Sequence, residues 1–331
     1  MSASSASIGP IRPPSEAYSL LVRVTENCPW NRCEFCSSYK GESFRVRPVE
    51  DVKADIVAAR GLAEEIGDIA KRADCGAGEI ARLNGILWVA DEGVKSAFLQ
   101  DSDSLVVKTE QLEEVVEFLR ETFPTLERVC SYVRGKTLFR KKPEELRRLR
   151  EAGLSRLHVG LETGDDELLA YVRKGATAEE MVEGGKKAVE AGFEVSEYIM
   201  PGLGGRERWQ QHASNSARVL NQINPRFIRL RTFRPVPGTP MYDRARAGEY
   251  HVQSVEGVLE EIRAFIEDLE VNSELITSDF ATNSFMGDID GKLPEDKDRL
   301  LESVDRVLAY WRERGEPKRN PFFRRIVPEI I

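Results

Sequence analysis

The chain has 331 residues, of which 41% are hydrophobic and 31% charged, and it carries a formal net charge of −8. The length suits one large α/β barrel with an appendage or two modest domains. The acidic balance speaks against nucleic acid as a partner because phosphate is repelled, and the sequence contains no apolar run long enough to predict a membrane span. Residues 1–17 begin with a Ser- and Pro-rich stretch that lacks the apolar core of a secretory signal, so we expect a loose tail and a cytoplasmic protein.

Hydrophobic periodicity after residue 17 predicts alternating strands and helices. The predicted strands are Tyr18–Thr25, Ser96–Gln100, Leu126–Val133, Arg156–Leu161, Phe193–Met200 and Phe227–Phe233. The predicted helices are Val49–Glu65, Thr109–Phe123, Pro143–Ala152, Asp166–Arg173, Ala178–Ala191 and Arg206–Gln222. Because the later strands start roughly 30 to 37 residues apart, as βα units do, the pattern predicts the α/β class with a partial (β/α)6 parallel barrel.

Two further segments accompany the predicted barrel core, which covers 18–250. Residues 66–95 are predicted to be an insertion that contains Cys75. A C-terminal α/β extension is predicted over 251–331, where the helices Ser254–Leu269 and Glu295–Arg314 flank a strand at Glu274–Thr277. The chemistry of parallel barrels lies on loops at the C-terminal ends of the strands, so these loops carry the candidate sites.

Three of the five cysteines, Cys28, Cys33 and Cys36, lie close together on the loop after the first predicted strand. Thiolate is the standard protein ligand of iron–sulfur clusters, and three thiolates on one short loop can bind three irons of a 4Fe–4S cluster. The missing fourth local ligand would leave one iron open to a substrate or cofactor, as an open position does at catalytic zinc. The spacing therefore predicts a catalytic cluster.

Other interpretations of the cysteines remain open. They are consistent with ordinary buried thiols, with a structural zinc site, or with a plant-type ferredoxin cluster, which has the same C-x4-C-x2-C spacing and a distant fourth cysteine. Cys75 is the candidate fourth ligand in the last two cases, which would make the protein a zinc-stabilised binding protein or an electron carrier. Cys130, on the third predicted strand, is expected to be a packed core thiol.

The cysteine loop and several later motifs resemble the radical S-adenosylmethionine (SAM) superfamily. The run TENCPWNRCEFCSSYKG has Phe35 in the aromatic place before the last cysteine, and its first gap is one residue longer than the usual C-x3-C-x2-C. The motifs HVGLETGDDELL, MPGLGG, PVPGTPMYD and GKLPEDKDRLL follow in chain order. The chain is similar to an uncharacterised branch that is distantly related to the anaerobic coproporphyrinogen oxidase and Elongator-type groups.

The resemblance implies an oxidoreductase-like enzyme that reductively cleaves SAM at a 4Fe–4S cluster on Cys28, Cys33 and Cys36. The 5′-deoxyadenosyl radical so formed would abstract hydrogen from an unidentified small-molecule substrate, and an external donor such as flavodoxin or ferredoxin would supply one electron. The residues implied to bind SAM are Phe35 near the adenine, Asp101, Ser102 and Asp103 near the amino group, Glu162 and Thr163 near the ribose and methionine, Lys174 near the carboxylate, and Met200, Pro201, Phe233 and Pro235 in the adenine floor.

Simpler roles for several of these residues also remain open. Asp101 and Asp103 can cap the turn before Thr109. With Ser102 they stand where the superfamily often has the triplet Gly-Gly-Glu. Glu162 can be a strand-end carboxylate that pairs with Arg156 or Lys174.

Overall fold

The structure is a computed structural model and describes residues 11–283 and 289–314. Its strands are β1 (Leu20–Arg23), β2 (Thr25–Glu26), β3 (Arg45–Val46), β4 (Ser96–Gln100), β5 (Arg128–Val133), β6 (Leu154–Glu162), β7 (Glu194–Ile199), β8 (Phe227–Leu230), β9 (Glu274–Ile276) and β10 (Gly291–Lys292). Its helices are α1 (Val49–Ala73), α2 (Ala77–Leu83), α3 (Thr109–Thr122), α4 (Gly135–Arg140), α5 (Pro143–Ala152), α6 (Asp166–Tyr171), α7 (Ala178–Glu190), α8 (Gly205–Ile223), α9 (Pro240–Ala247), α10 (Val255–Asp268) and α11 (Lys297–Arg314).

Eight strands form one sheet in the order β1-β4-β5-β6-β7-β8-β9-β10, and β2 pairs separately with β3. The β1–β4, β4–β5, β7–β8 and β8–β9 ladders are parallel, whereas β9–β10 is antiparallel. The first six strands of this order are the six predicted for the barrel, and each is followed by at least one helix. The predicted α/β class and the βα order of a partial (β/α)6 barrel are therefore confirmed, and the described strands form an open sheet that ends at β1 and β10.

The chain groups into two compact units. The described residues of the first unit are 11–29, 41–158 and 190–193, and those of the second are 30–40, 159–189, 194–283 and 289–314. Strand β6 changes units between His158 and Val159, and the cysteine loop does so after Pro29. The predicted division into a core over 18–250 and an extension over 251–331 stays a prediction.

Helix α1 of the first unit is longer than predicted. It continues past Glu65 to Ala73, because Ile66 and Ala70 prolong its buried stripe at helical spacing. Residues 66–95 therefore begin inside α1 and then form α2, where Ala81 packs against Ile66. Helix α1 also packs on α3, which in turn packs on α5.

The segment before β1 is anchored in the first unit by Glu16, whose side chain is fully buried. Its carboxylate accepts from Ser19 Oγ (2.6 Å) and Arg128 Nη2 (3.2 Å) and lies 3.3 Å from His158 Nε2. Burial alone would raise the pKa of Glu16, but the His158 bond and the Arg128 charge lower it to about 2. The tail predicted over 1–17 stays a prediction: Glu16 within it is buried, and its residues 1–10 lie outside the described chain.

Cys130 lies beside Glu16 and His158, and the three side chains are close enough to suggest metal ligands. The guanidinium of Arg128 already supplies the positive charge at this position, since its Nε donates to Cys130 Sγ (3.2 Å). Cys130 is buried, which raises the pKa of its thiol. The expected packed core thiol is confirmed.

The second unit has its main core among α8, α10 and α11, and among the described helices none has the length and apolar character to cross a membrane. Helix α9 is not among the helices predicted from the sequence. Thr239 Oγ1 accepts from Tyr242 N (3.3 Å), Pro240 occupies the first helical turn, and Gly248 ends the helix with φ +74°. These are ordinary helix start and stop signals.

Candidate cofactor site

The cysteine loop presents three thiols of similar exposure. Cys28, Cys33 and Cys36 are each half-buried, and Cys36 N donates to Cys33 O (3.3 Å), which closes a turn between the last two. Soft thiol ligands that are neither sealed in a core nor fully exposed suit an iron–sulfur cluster. The donor set on this loop therefore fits the predicted 4Fe–4S cluster.

The part of the loop that belongs to the second unit is fixed at Trp30. Its Nε1 donates to Arg173 O (2.7 Å), and its ring lies directly over Gly175. A Cβ at Gly175 would come within 2.3 Å of the ring, and the φ of this glycine is +74°. Only glycine fits both the close approach and the left-handed backbone.

In the first unit, Asp101 holds the start of the loop. The residue is fully buried and its carboxylate accepts from Arg23 Nε (2.8 Å) and from Asn27 N (2.8 Å). Ser102 Oγ adds a bond to Asn27 O (3.2 Å). Asp101 thus binds the chain immediately before Cys28, and its assignment to the amino group of SAM stays a prediction.

Asp103 differs from Asp101 in its unmet hydrogen-bonding capacity. Thr137 Oγ1 donates to one of its carboxylate oxygens (2.5 Å), but Oδ1 is buried with no hydrogen-bond partner. Burial raises the pKa of Asp103 to about 7. Asp103 directly precedes the 3-10 turn Ser104–Val106, but no side-chain hydrogen bond caps this turn before Thr109.

In the second unit, β6 ends at Glu162 with φ +66°, and Lys174 Nζ donates to Glu162 Oε1 (2.9 Å). The Lys174 ammonium also lies 5.8 Å from the centre of the Phe35 ring. Of the two partners predicted for Glu162, Lys174 is the one that pairs with it. The other candidate, Arg156, belongs to the first unit, where its Nη1 lies 4.0 Å from Glu16 Oε1.

A carboxyl group that the sequence did not single out lies near this pair. Glu197 on β7 is 1% exposed, and its Oε2 has no hydrogen-bond partner. Burial raises the pKa of Glu197 to about 8, with Lys174 lowering it and Glu162 raising it. The sequence could have indicated this group, because Glu197 is a charged residue within a strand whose other central residues are buried.

The apolar residues predicted for the adenine floor lie together in the second unit. Phe35 packs on a buried cluster that contains Met200 and Phe233, and Phe233 N donates to Pro201 O (2.8 Å). Pro235 is buried shortly beyond. Thr163 is also buried, but its Oγ1 accepts from Asp165 N (3.1 Å).

His212, which the sequence analysis does not single out, joins two of these segments. Its Nδ1 lies 2.7 Å from Glu261 Oε1, its Nε2 lies 3.1 Å from Glu162 O, and Glu261 in turn accepts from Gly202 N (3.0 Å). Burial would lower the pKa of His212, but the Glu261 carboxylate raises it. A buried ion pair therefore links the end of β6 to the turn after β7.

Comparison with known proteins gives one family model, described as the Radical SAM superfamily, which matches residues 82–213. The cysteine loop lies ahead of the matched segment, so the two signals come from different parts of the chain. The family model thus supports the resemblance without covering the cysteine loop itself.

Individual relatives are distant. The tRNA uridine(34) acetyltransferase of Methanocaldococcus jannaschii is 21% identical over 271 residues, 76% of this chain and 49% of that protein. The heme chaperone HemW of Bacillus subtilis is 21% identical over 191 residues, 57% of this chain and 50% of that protein. The chain thus spans about half the length of these curated relatives. Coproporphyrinogen III oxidase of Escherichia coli matches with a TM-score of 0.49 and 17% identity, covering 75% of this chain and 52% of that one.

Proposed function

Since the chain is a member of the radical SAM superfamily, whose members bind a 4Fe–4S cluster and SAM, we propose that it reductively cleaves SAM and uses the resulting radical to abstract hydrogen from a small molecule. The observation that carries this proposal is the loop with half-buried Cys28, Cys33 and Cys36 ahead of the matched segment. These three thiolates would hold the cluster, which would supply an open position for SAM.

The cluster and SAM, when bound, supply a one-electron cleavage that gives methionine and a 5′-deoxyadenosyl radical. The chain contributes binding, orientation and exclusion of water. Phe35 packs on the cluster of Met200 and Phe233, and with Pro201 and Pro235 these residues would line the adenine, because a dry surface protects a radical from quenching.

The polar residues implied by the resemblance are proposed to bind the charged parts of SAM, and each unit is considered by itself. In the second unit, Lys174, which pairs with Glu162, would attract the carboxylate, and Glu162 and the buried Thr163 would contact the ribose and methionine. In the first unit, the unsatisfied Oδ1 makes Asp103 a better candidate for the amino group than Asp101, whose carboxylate already has two partners. Ser102 contributes its backbone.

The proposed partners are a small-molecule substrate and an external one-electron donor such as flavodoxin or ferredoxin. The net charge of −8 disfavours a polyanionic substrate, although the name of one relative refers to tRNA. The alternative function is an electron carrier or a zinc-stabilised binding protein that uses Cys75. Cys75 lies in the turn after α1, with its Sγ 3.9 Å from Ala70 O.

Anaerobic reconstitution tests the proposal. Wild-type protein and the Cys75→Ala variant should bind one 4Fe–4S cluster and form 5′-deoxyadenosine from SAM and dithionite, whereas Cys28→Ala, Cys33→Ala and Cys36→Ala should lose both properties. A fully loaded cluster without 5′-deoxyadenosine would contradict the proposal. Loss of the metal in Cys75→Ala would instead favour the carrier or zinc protein.

A further inference from the structure

Glu34 lies inside the cysteine loop, between Cys33 and Cys36, and its side chain is almost completely buried. The carboxylate pairs with Arg173 Nε (2.9 Å), just beyond α6, and with Arg244 Nη2 (2.5 Å), on α9. All three residues belong to the second unit. A buried carboxylate is costly unless it is paired, and the two guanidinium groups supply the pairing charge, although Oε2 has an ion-pair contact to Arg244 without a hydrogen bond.

The backbone of Glu34 is held by the same two segments. Its N–H donates to Val172 O (2.9 Å), and Met241 N donates to its carbonyl oxygen (3.2 Å). The next residue, Phe35, packs on the cluster that contains Val172 and Met241. Glu34 is therefore held by its carboxylate, its backbone N–H and its carbonyl oxygen, and the side chain of Phe35 is held by packing.

These contacts also give α9 a role. The PVPGTPMYD motif forms the turn and first residues of this helix, and Met241 and Arg244 project from it onto the cysteine loop. Arg244 is the better-shielded partner, with 25% of its side chain exposed against 70% for Arg173. Solvent screens the exposed Arg173 pair more strongly, so the charge of Arg244 is the less screened of the two.

We propose that Glu34 is a positioning residue that, with Arg173 and Arg244, holds the Cys33–Cys36 turn in its ligand-ready shape before a cluster binds. This inference rests on the proposed function for the cluster, but the contacts require no metal. A loop fixed in advance loses less conformational freedom when the cluster binds, so the clamp slows cluster release. It also keeps a buried ionic group beside two thiolate ligands, where charge influences the reduction potential.

Glu34→Gln and Arg244→Gln test the clamp, because each removes one charge; Glu34→Gln also preserves side-chain size, whereas Arg244→Gln shortens the side chain. The control is Glu179→Gln, which removes the same charge from an exposed position on α7 of the same unit. Hydrogen exchange of the 33–36 amides is measured in metal-free protein, and cluster release to a chelator and the reduction potential are measured in reconstituted protein. Both clamp variants should exchange and release the cluster at least about tenfold faster than wild type, with a shifted potential, while the control matches wild type.

Wild-type exchange rates in both clamp variants would overturn the inference. Faster exchange combined with unchanged release and potential would overturn the positioning role and leave only a structural contact. If Glu34→Gln fails to fold by circular dichroism, Arg244→Gln decides the outcome alone. Failure of wild-type protein to bind a cluster would refute the proposed function, and the clamp would then be judged by amide exchange in the metal-free chain.

Discussion

Replacing His212 with alanine should destabilise the cofactor-free protein by about 3–5 kcal/mol, the usual cost of removing one member of a buried ion pair. The estimate follows from burial, since His212 and Glu261 are 1% and 2% exposed and only 2.7 Å apart. Glu261 would keep its bond from Gly202 N, which places the expected loss toward the lower part of this range. The imidazole bond to Glu162 O would also disappear, so both the β6 end and the turn after β7 should loosen.

The pH dependence of the loss gives a second readout. Because the folded pKa of His212 is raised above 6.5, its contribution is complete below about pH 6.5 and is lost as the pH rises through the folded value. Urea unfolding followed by circular dichroism across this range should show the largest difference between wild type and His212→Ala at the acidic end.

His251 provides a matched control for the same measurement. It pairs with Glu207 on the surface of the same unit, with 60% and 54% of the two side chains exposed. His251→Ala should change the free energy of unfolding by no more than about 0.5 kcal/mol. Equal losses in the two variants, or a His212→Ala loss that does not vary with pH, would refute the reasoning from burial.

Two further variants probe Glu197 and Gly175. The pKa of Glu197 is about 8 in the folded protein against 4.5 in the unfolded chain, so wild-type stability should fall as the pH rises from about 4.5 to about 8. Glu197→Gln imitates the protonated acid, so this variant should lack the decline and be the more stable protein above pH 8. Urea midpoints that change with pH in the same way for both proteins would contradict this. Gly175→Ala should lower the free energy of unfolding by about 2 kcal/mol and shift the tryptophan emission, because the new Cβ displaces Trp30. Gly248 has the same φ of +74° but nothing within 4 Å of a new Cβ, so Gly248→Ala should show the backbone cost alone.

The regular elements of the fold could be predicted because their signals are local. The six core strands follow from apolar runs at βα spacing, and α1 extends beyond its predicted end only because its buried stripe continues through Ile66 and Ala70. Helix α9 shows how local signals can compete. Thr239 and Gly248 mark its ends, but the preceding proline- and glycine-rich motif favoured a turn.

The site was predictable only where one segment carries its chemistry, as the cysteine loop does. The partners that fix it come from far along the chain. Arg23 and Asp101 meet across 78 residues, and His212 and Glu261 across 49. No periodicity or spacing encodes such pairs, because they arise when separate βα units pack. The roles of Glu34, Glu197 and His212 therefore emerged only from their three-dimensional contacts.

The burial of Glu16 has a practical consequence for anyone shortening this protein. The first apolar run invites a start at residue 18, and such a chain would keep every strand and every thiol of the cysteine loop. It would nevertheless lose the carboxylate that neutralises Arg128 and contacts His158, and with it the counter-charge that holds this guanidinium beside Cys130. We therefore expect a chain that starts at residue 18 to be less soluble, because it lacks the Glu16 carboxylate that pairs with Arg128. Cofactor loading should be judged only on chains that retain Glu16.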